Sequence, residues 1–190
     1  MKVGLYFGTY NPIHIGHLAI ANYMVEYTDI KQLWFVISPQ SPFKNKKSLL
    51  DNYQRLEMIN RAIEDDGRFR ASNIEFKLPR PSFTIDTLTY LKEEHPTHEF
   101  FLIMGSDNLT YLNKWKNPEM ILADYKIIVY PRPGFDQENY QPHPNIQLVH
   151  APLMEISSSF IRKAIADGKD IRHFIPAKAY QYLEEMNFYK

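Results

Sequence analysis

Two histidines three residues apart, His14 and His17, follow a short apolar run and the turn sequence Gly8-Thr9-Tyr10-Asn11-Pro12. At the first turn of a helix that spacing sets both imidazoles on one face, beside unpaired backbone N–H groups that favour an anion. Gly8 lets a backbone approach phosphate closely, and Asn11-Pro12 turns the chain. The chemistry this predicts is a phosphate cradle with two proton-bearing rings above it. Half of a zinc site is the competing reading, but no glutamate of the metalloprotease kind lies between the histidines and the chain has no cysteine. A pair of ordinary surface or core histidines is the other, and Gly16 together with the strand-to-helix setting argues against it. The segment is neither the dinucleotide-binding G-x-G-x-x-G nor a Walker P-loop.

Further groups could serve the same anion. In Ile156-Ser157-Ser158-Ser159-Phe160-Ile161-Arg162, the two serines Ser157 and Ser158 suit a helix N-cap, and Arg162 lies one turn in. On its own this is a capped helix with a solvated arginine. Lys44, Lys46 and Lys47 load the stretch from Ser38 to Ser48 with positive charge, ordinarily a solvated loop face. Trp115, taken alone, is a half-buried aromatic, and Asp107 a helix N-cap.

The elements that must position these residues alternate. Val3 to Phe7, Leu33 to Ile37, Phe100 to Met104 and Lys126 to Tyr130 are short apolar runs suited to parallel strands covered on both faces. Between them lie helical patterns: one through Val25 after the histidines; one with Tyr53, Leu56, Ile59 and Ile63 behind Asp51 as N-cap; one with Ile85, Leu88 and Leu91. The order predicts a Rossmann-like, doubly wound α/β fold with a mainly parallel sheet. Ser157 to Asp167 and Ala179 to Met186 add two helices with no strand between them. The expectation is one domain over 1–190, with a core over 1–155 and a small C-terminal helical annex over 156–190.

Bulk properties narrow the function classes. At 190 residues with 44% hydrophobic residues the chain can bury roughly 70% of its unfolded surface. Lysine plus arginine equals aspartate plus glutamate at 22 each, so no global field favours a nucleic-acid polymer. The absence of cysteine excludes a disulfide framework and a thiol nucleophile. No run reaches the ~18 apolar residues of a membrane span, and the N-terminus reaches Gly8 and Thr9 too soon for a signal peptide. A cytoplasmic location is expected; a homo-oligomer is left open.

Taken together, Gly8-Thr9-Tyr10-Asn11-Pro12, His14-Ile15-Gly16-His17 and Ile156 to Arg162 resemble the T/H-x-G-H and I-S-S-x-x-I-R signatures of the nucleotidylyltransferase superfamily. Three more segments are similar to the nicotinate-nucleotide adenylyltransferases within it: Arg80-Pro81-Ser82-Phe83-Thr84-Ile85-Asp86-Thr87-Leu88, Met104-Gly105-Ser106-Asp107 with Leu112-Asn113-Lys114-Trp115, and Tyr130-Pro131-Arg132-Pro133-Gly134. The resemblance implies transfer of AMP from ATP to nicotinate mononucleotide, with Mg²⁺ arriving on the ATP. It implies that His14, His17, Lys44 and Arg162 carry the chemistry. Gly8, Thr9, Tyr10, Gly16, Gly105, Asp107, Ser157, Ser158 and Ile161 would hold ATP, and Thr84, Trp115, Lys116 and Arg132 the mononucleotide. No resident metal site is implied. Pantetheine phosphate or nicotinamide mononucleotide as acceptor, a cytidylyltransferase, and a catalytically idle nucleotide-binding module are the rival readings. Two departures stand out: Phe7 replaces the first of the family's paired glycines, where a positive φ would be strained, and Phe43 replaces a histidine before the loop lysine.

Overall fold

The computed structural model describes residues 1–39, 48–135 and 142–190. Strands β1 (Lys2–Gly8), β2 (Gln32–Ile37), β3 (Phe69–Ser72), β4 (Glu99–Gly105), β5 (Lys126–Tyr130) and β6 (Ile146–Leu148) form one sheet in the order β3-β2-β1-β4-β5-β6. Every pairing is parallel, with Tyr6 beside Phe35 on one side and Ile103 on the other. Helices α1 (Ile15–Tyr27), α2 (Asn52–Ile63), α3 (Thr84–Glu94), α4 (Ser106–Thr110), α5 (Pro118–Asp124), α6 (Ser158–Ala166) and α7 (Ala177–Glu185) follow or link them.

The four apolar runs are the four inner strands, and alternate residues feed two cores. Leu33, Phe35, Ile37 and Ile103 pack under α1, α2, α6 and α7, while Val3, Leu5, Val36 and Leu102 pack under α3 and α5. Ile161, Ile165, Ala179 and Leu183 belong to the same buried cluster as Tyr6 and Ile20, so α6 and α7 share the core on that side of the sheet, α7 packing against α2. The edge strands β3 and β6 carry Phe-Arg-Ala-Ser and Ile-Gln-Leu. One side of an edge strand faces no neighbour, which relaxes the demand for apolar residues and removes the run that marks a strand in sequence.

Asp51 caps α2 as expected, its Oδ1 accepting from the Tyr53 N–H at 2.8 Å while the Gln54 side chain accepts from the Asp51 N–H. The buried stripe of that helix is Arg55, Met58, Ile59 and Ile63, rotated from the one expected; Tyr53 is exposed. At the other departure, Phe7 continues β1 in register with Val36, and the positive φ falls on Tyr10 at 47°. The turn toward α1 is made there, and the Tyr10 hydroxyl donates back to the Tyr6 carbonyl, holding the αL residue in a buried position.

The sheet order reverses between β1 and β4. In an open parallel sheet the loops leaving those two strands diverge to opposite faces and open a crevice at their carboxyl ends. His14, His17, Gly105 and Asp107 all lie on the segments leaving that edge.

Candidate active site

Two clefts open at this edge and share a wall made by Tyr6, Phe7, Asn108 and Tyr130. The smaller, about 230 Å³, holds His14, Gly16, His17, Asp107, Arg132, Ser157 and Ser158. The larger, about 370 Å³, holds Gly8, Thr9, Glu75, Ser82, Thr84, Gly105 and Trp115.

Two helices point their N-termini into the smaller cleft. At the start of α1 the Ile15 N–H donates to the Phe174 carbonyl at 3.0 Å, whereas the Gly16 N–H has no partner among the described residues. A Cβ at Gly16 would sit 3.0 Å from the His14 ring, so the glycine lets that ring lie against the helix start. At the start of α6, Ser157 Oγ accepts from the Phe160 N–H at 3.2 Å. Ser158 Oγ donates instead to the Pro12 carbonyl at 2.8 Å, which binds the two N-termini together. Converging helix N-termini present N–H groups and the positive ends of two dipoles to one space.

His14 and His17 stack inside that space, ring centroids 3.7 Å apart. The His14 backbone N–H donates to His17 Nδ1 at 3.2 Å, which leaves the proton of the neutral ring on Nε2. Burial, then the neighbouring Arg132 cation, lowers the His14 pKa to about 4. Burial, then His14 and Arg132, lowers that of His17 well below its ordinary value. Both rings are therefore neutral hydrogen-bond donors at neutral pH, a refinement of the proton-bearing pair expected from sequence. Arg132 Nε lies 3.8 Å from Asp107 Oδ1, a buried oxygen with no hydrogen-bond partner. A Cβ at Gly105 would fall 2.4 Å from that oxygen and 2.6 Å from Arg132 Cγ, so only glycine admits the pair.

In the larger cleft, Phe83 stands at the N-cap of α3 without a side-chain cap. The Thr84 and Ile85 N–H groups have no partner among the described residues. Trp115 lies in the same wall. Glu75 was not singled out by sequence reading. It is buried, accepts from Thr87 Oγ1 at 2.9 Å, and burial raises its pKa against the opposing hydroxyls of Thr87, Ser38 and Ser82. No spacing marks it, because a lone glutamate in Ile-Glu-Phe reads as surface.

The expected site residues distribute unevenly. His14, Gly16, His17, Asp107, Ser157 and Ser158 meet in the smaller cleft. Arg132 joins them there, in the cleft of the histidines rather than beside Trp115. Gly8, Thr9 and Gly105 line the larger cleft with Thr84 and Trp115. Asp107 sits inside α4, whose N-cap is Gly105. Tyr10 is buried, 5.0 Å from the His17 ring, and supports it from behind. Ile161 is a core residue with its N–H donating to the Ser157 carbonyl. Lys116 Nζ pairs with Asp86 at 2.9 Å outside both clefts. Lys44, with Phe43, lies outside the described residues.

Three side chains hold the histidine loop from behind. Arg162 Nη1 donates to the Asn11 carbonyl at 2.6 Å. The Asn11 side chain donates to the Ser48 carbonyl at 2.8 Å and accepts from the Leu50 N–H and, at 2.6 Å, from the Tyr189 hydroxyl. Arg55 is 0% exposed and donates to the carbonyls of Thr9, Ser38 and Leu50 and to Asn52 Oδ1. Its place on the apolar stripe of α2, four residues before Ile59, is the sequence signal that reading overlooked.

The chain matches the Cytidylyltransferase-like family over residues 5–164. It is 53% identical over 192 residues to a probable nicotinate-nucleotide adenylyltransferase of Flavobacterium johnsoniae, spanning 100% of both chains. It is 49% identical over 180 residues to that of Bacteroides fragilis, covering 95% of this chain and 90% of the relative. The fold is that of Plasmodium falciparum nicotinic acid mononucleotide adenylyltransferase complexed with NaAD: the TM-score is 0.80 at 23% identity, over 99% of this chain and 97% of the other. With a sheet that reverses at its histidine crevice and relatives this similar along the whole chain, the protein belongs to the nicotinate-nucleotide adenylyltransferases of the cytidylyltransferase-like family.

Proposed function

We propose that this chain transfers the adenylyl group of ATP to the 5′-phosphate of nicotinate mononucleotide, giving nicotinate adenine dinucleotide and pyrophosphate. The carrying observation is the pair of clefts with a common wall. One offers two helix N-termini, Arg132 and two neutral imidazoles, a set suited to a polyphosphate. The other offers Trp115 and the uncapped start of α3, suited to an aromatic ring bearing a carboxylate.

The attacking phosphate oxygen is already ionised, so the step needs neither a general base nor a covalent enzyme intermediate. It is an in-line displacement at the α-phosphorus, and the protein contributes placement and charge stabilisation. His17 Nε2–H and the Gly16 N–H donate to phosphate oxygens, Arg132 offsets their charge, and Ser157 and Ser158 close the far side. Asp107 takes the ribose hydroxyls, which supplies its lone oxygen with donors. Mg²⁺ enters on the ATP phosphates as part of the substrate. Among the described residues no group of three or more histidine or carboxylate side chains is placed to hold a metal ion. No described helix is long and apolar enough to cross a membrane, and the soluble substrates suit the cytoplasm.

The test is turnover of ATP with a panel of phosphorylated acceptors, namely nicotinate mononucleotide, nicotinamide mononucleotide and pantetheine phosphate. Dinucleotide product from nicotinate mononucleotide at the highest kcat/KM is the expected result. Preference for pantetheine phosphate, or no turnover of any acceptor, would overturn the proposal.

A further inference from the structure

Tyr6 on β1 and Tyr130 on β5 reach toward each other across β4, and their hydroxyl oxygens lie 3.0 Å apart with the rings edge to face. Tyr6 is 5% exposed and Tyr130 7%. Burial raises the pKa of both phenols, so each keeps its proton. Two hydroxyls carry two protons, and their mutual bond uses one. The second has no acceptor among the described residues, since neither oxygen makes another hydrogen bond. Buried O–H groups are ordinarily satisfied, and one that is not calls for an explanation.

The surroundings supply one. Both tyrosines form part of the wall common to the two clefts. Tyr6 lies edge-on to His17 at 6.2 Å between ring centroids. The electrostatic neighbours of the pair include Arg132 and Asp107. If polyphosphate occupies one cleft and the acceptor the other, the α-phosphoryl centre of the transferred adenylyl group must react at this wall. We propose that the Tyr6–Tyr130 pair donates its spare O–H to a non-bridging oxygen of that phosphoryl group, as a donor that either tyrosine can supply. The inference rests on the two-cleft reading given under Proposed function. A neutral donor fixed in an apolar wall is worth most where negative charge gathers on the equatorial oxygens, and it needs no reorganisation when it does so.

The pairing makes an unusual set of variants informative. Tyr6→Phe and Tyr130→Phe each leave one hydroxyl whose proton is free for the phosphate, so each should lower kcat by only part of what removing both costs. Removing both should lower kcat by ~10²-fold with the KM for ATP nearly unchanged, the scale of losing one preorganised donor. Stability should run in the other order: each single variant strands a buried hydroxyl, while the double variant replaces both by apolar groups of the same shape. Its melting temperature should therefore equal or exceed those of the single variants. A pair that is only a core hydrogen bond would give a double variant with wild-type kcat, and that result overturns the proposal. So does a single variant that loses as much kcat as the double. The comparison is made on whichever acceptor the wild-type enzyme uses best. The acceptor panel thus reads the substrate assignment, and the ratio of variant to wild type reads the tyrosines.

Discussion

The His14 and His17 rings lie nearly parallel, 28° between planes, so protonating both would place two like charges at contact distance in a buried site. The site resolves this by keeping them neutral, and acid should undo it. A folded-state pKa below the unfolded one means that the unfolded chain binds more protons between the two values, so stability falls as pH drops through that window. For His14 the window runs from 6.5 down to about 4. Its share of the loss should reach about 2 kcal/mol at pH 5. Urea unfolding of the nucleotide-free protein at pH 7 and pH 5 should show the drop, and His14→Asn should reduce it, leaving the share of His17. Equal stability of wild type at both values would contradict the buried neutral pair.

His17→Ala should lower kcat by ~10²–10³-fold while the far-UV circular dichroism stays unchanged. The variant removes the fixed donor proposed to meet the α-phosphate. A variant turning over at the wild-type rate would remove His17 from the mechanism.

Arg55→Met removes the donor shared by the carbonyls of Thr9, Ser38 and Leu50. Stranding buried carbonyls costs about 1–3 kcal/mol each, so a total loss of about 3 kcal/mol or more is expected in urea titrations. Because Thr9 leads into the histidine loop, kcat should fall in the fraction that remains folded. A change under about 0.5 kcal/mol would mean that water replaces the guanidinium without cost.

Nicotinate mononucleotide should be preferred over its amide in kcat/KM. A carboxylate can accept from both the Thr84 and Ile85 N–H groups, whereas a carboxamide must turn its NH₂ toward one donor, costing about 1–3 kcal/mol. Stacking on Trp115 would serve either ring and so would not discriminate. A ratio near one would remove the α3 start as the specificity element.

Protein freed of nucleotide should contain no stoichiometric zinc by metal analysis. His17 Nδ1 already accepts from the His14 N–H, and Arg132 sets a positive charge beside both rings. Zinc that copurifies and is lost in a His14→Ala, His17→Ala double variant would restore the metal reading.

The inner sheet was legible because strands covered on both faces must be apolar throughout, as Val3 to Phe7 and Leu33 to Ile37 are. The edge strands were not, since Arg70 and Gln147 break the run without penalty where a side is open. Of the candidate site, the residues that local pattern marks lie at helix starts: His14, His17, Ser157 and Thr84 owe their place to a signal that sequence carries. Glu75, Arg55 and the Tyr6–Tyr130 pair owe theirs to contacts between distant segments, 124 residues apart for the tyrosines. No window along the chain contains that information. Arg132 was recognised as part of a motif, yet its cleft depends on the turn after β5 and on Gly105 next door.

The Tyr189 hydroxyl and Asn11 are 178 residues apart in sequence. During synthesis the histidine loop therefore leaves the ribosome long before its last clamp exists. The nascent chain can form its sheet, but the loop gains this clamp only when the segment after α7 has been made and docks against it. The same bond makes Tyr189 sensitive to change: a substitution there acts on a loop 178 residues away in the chain.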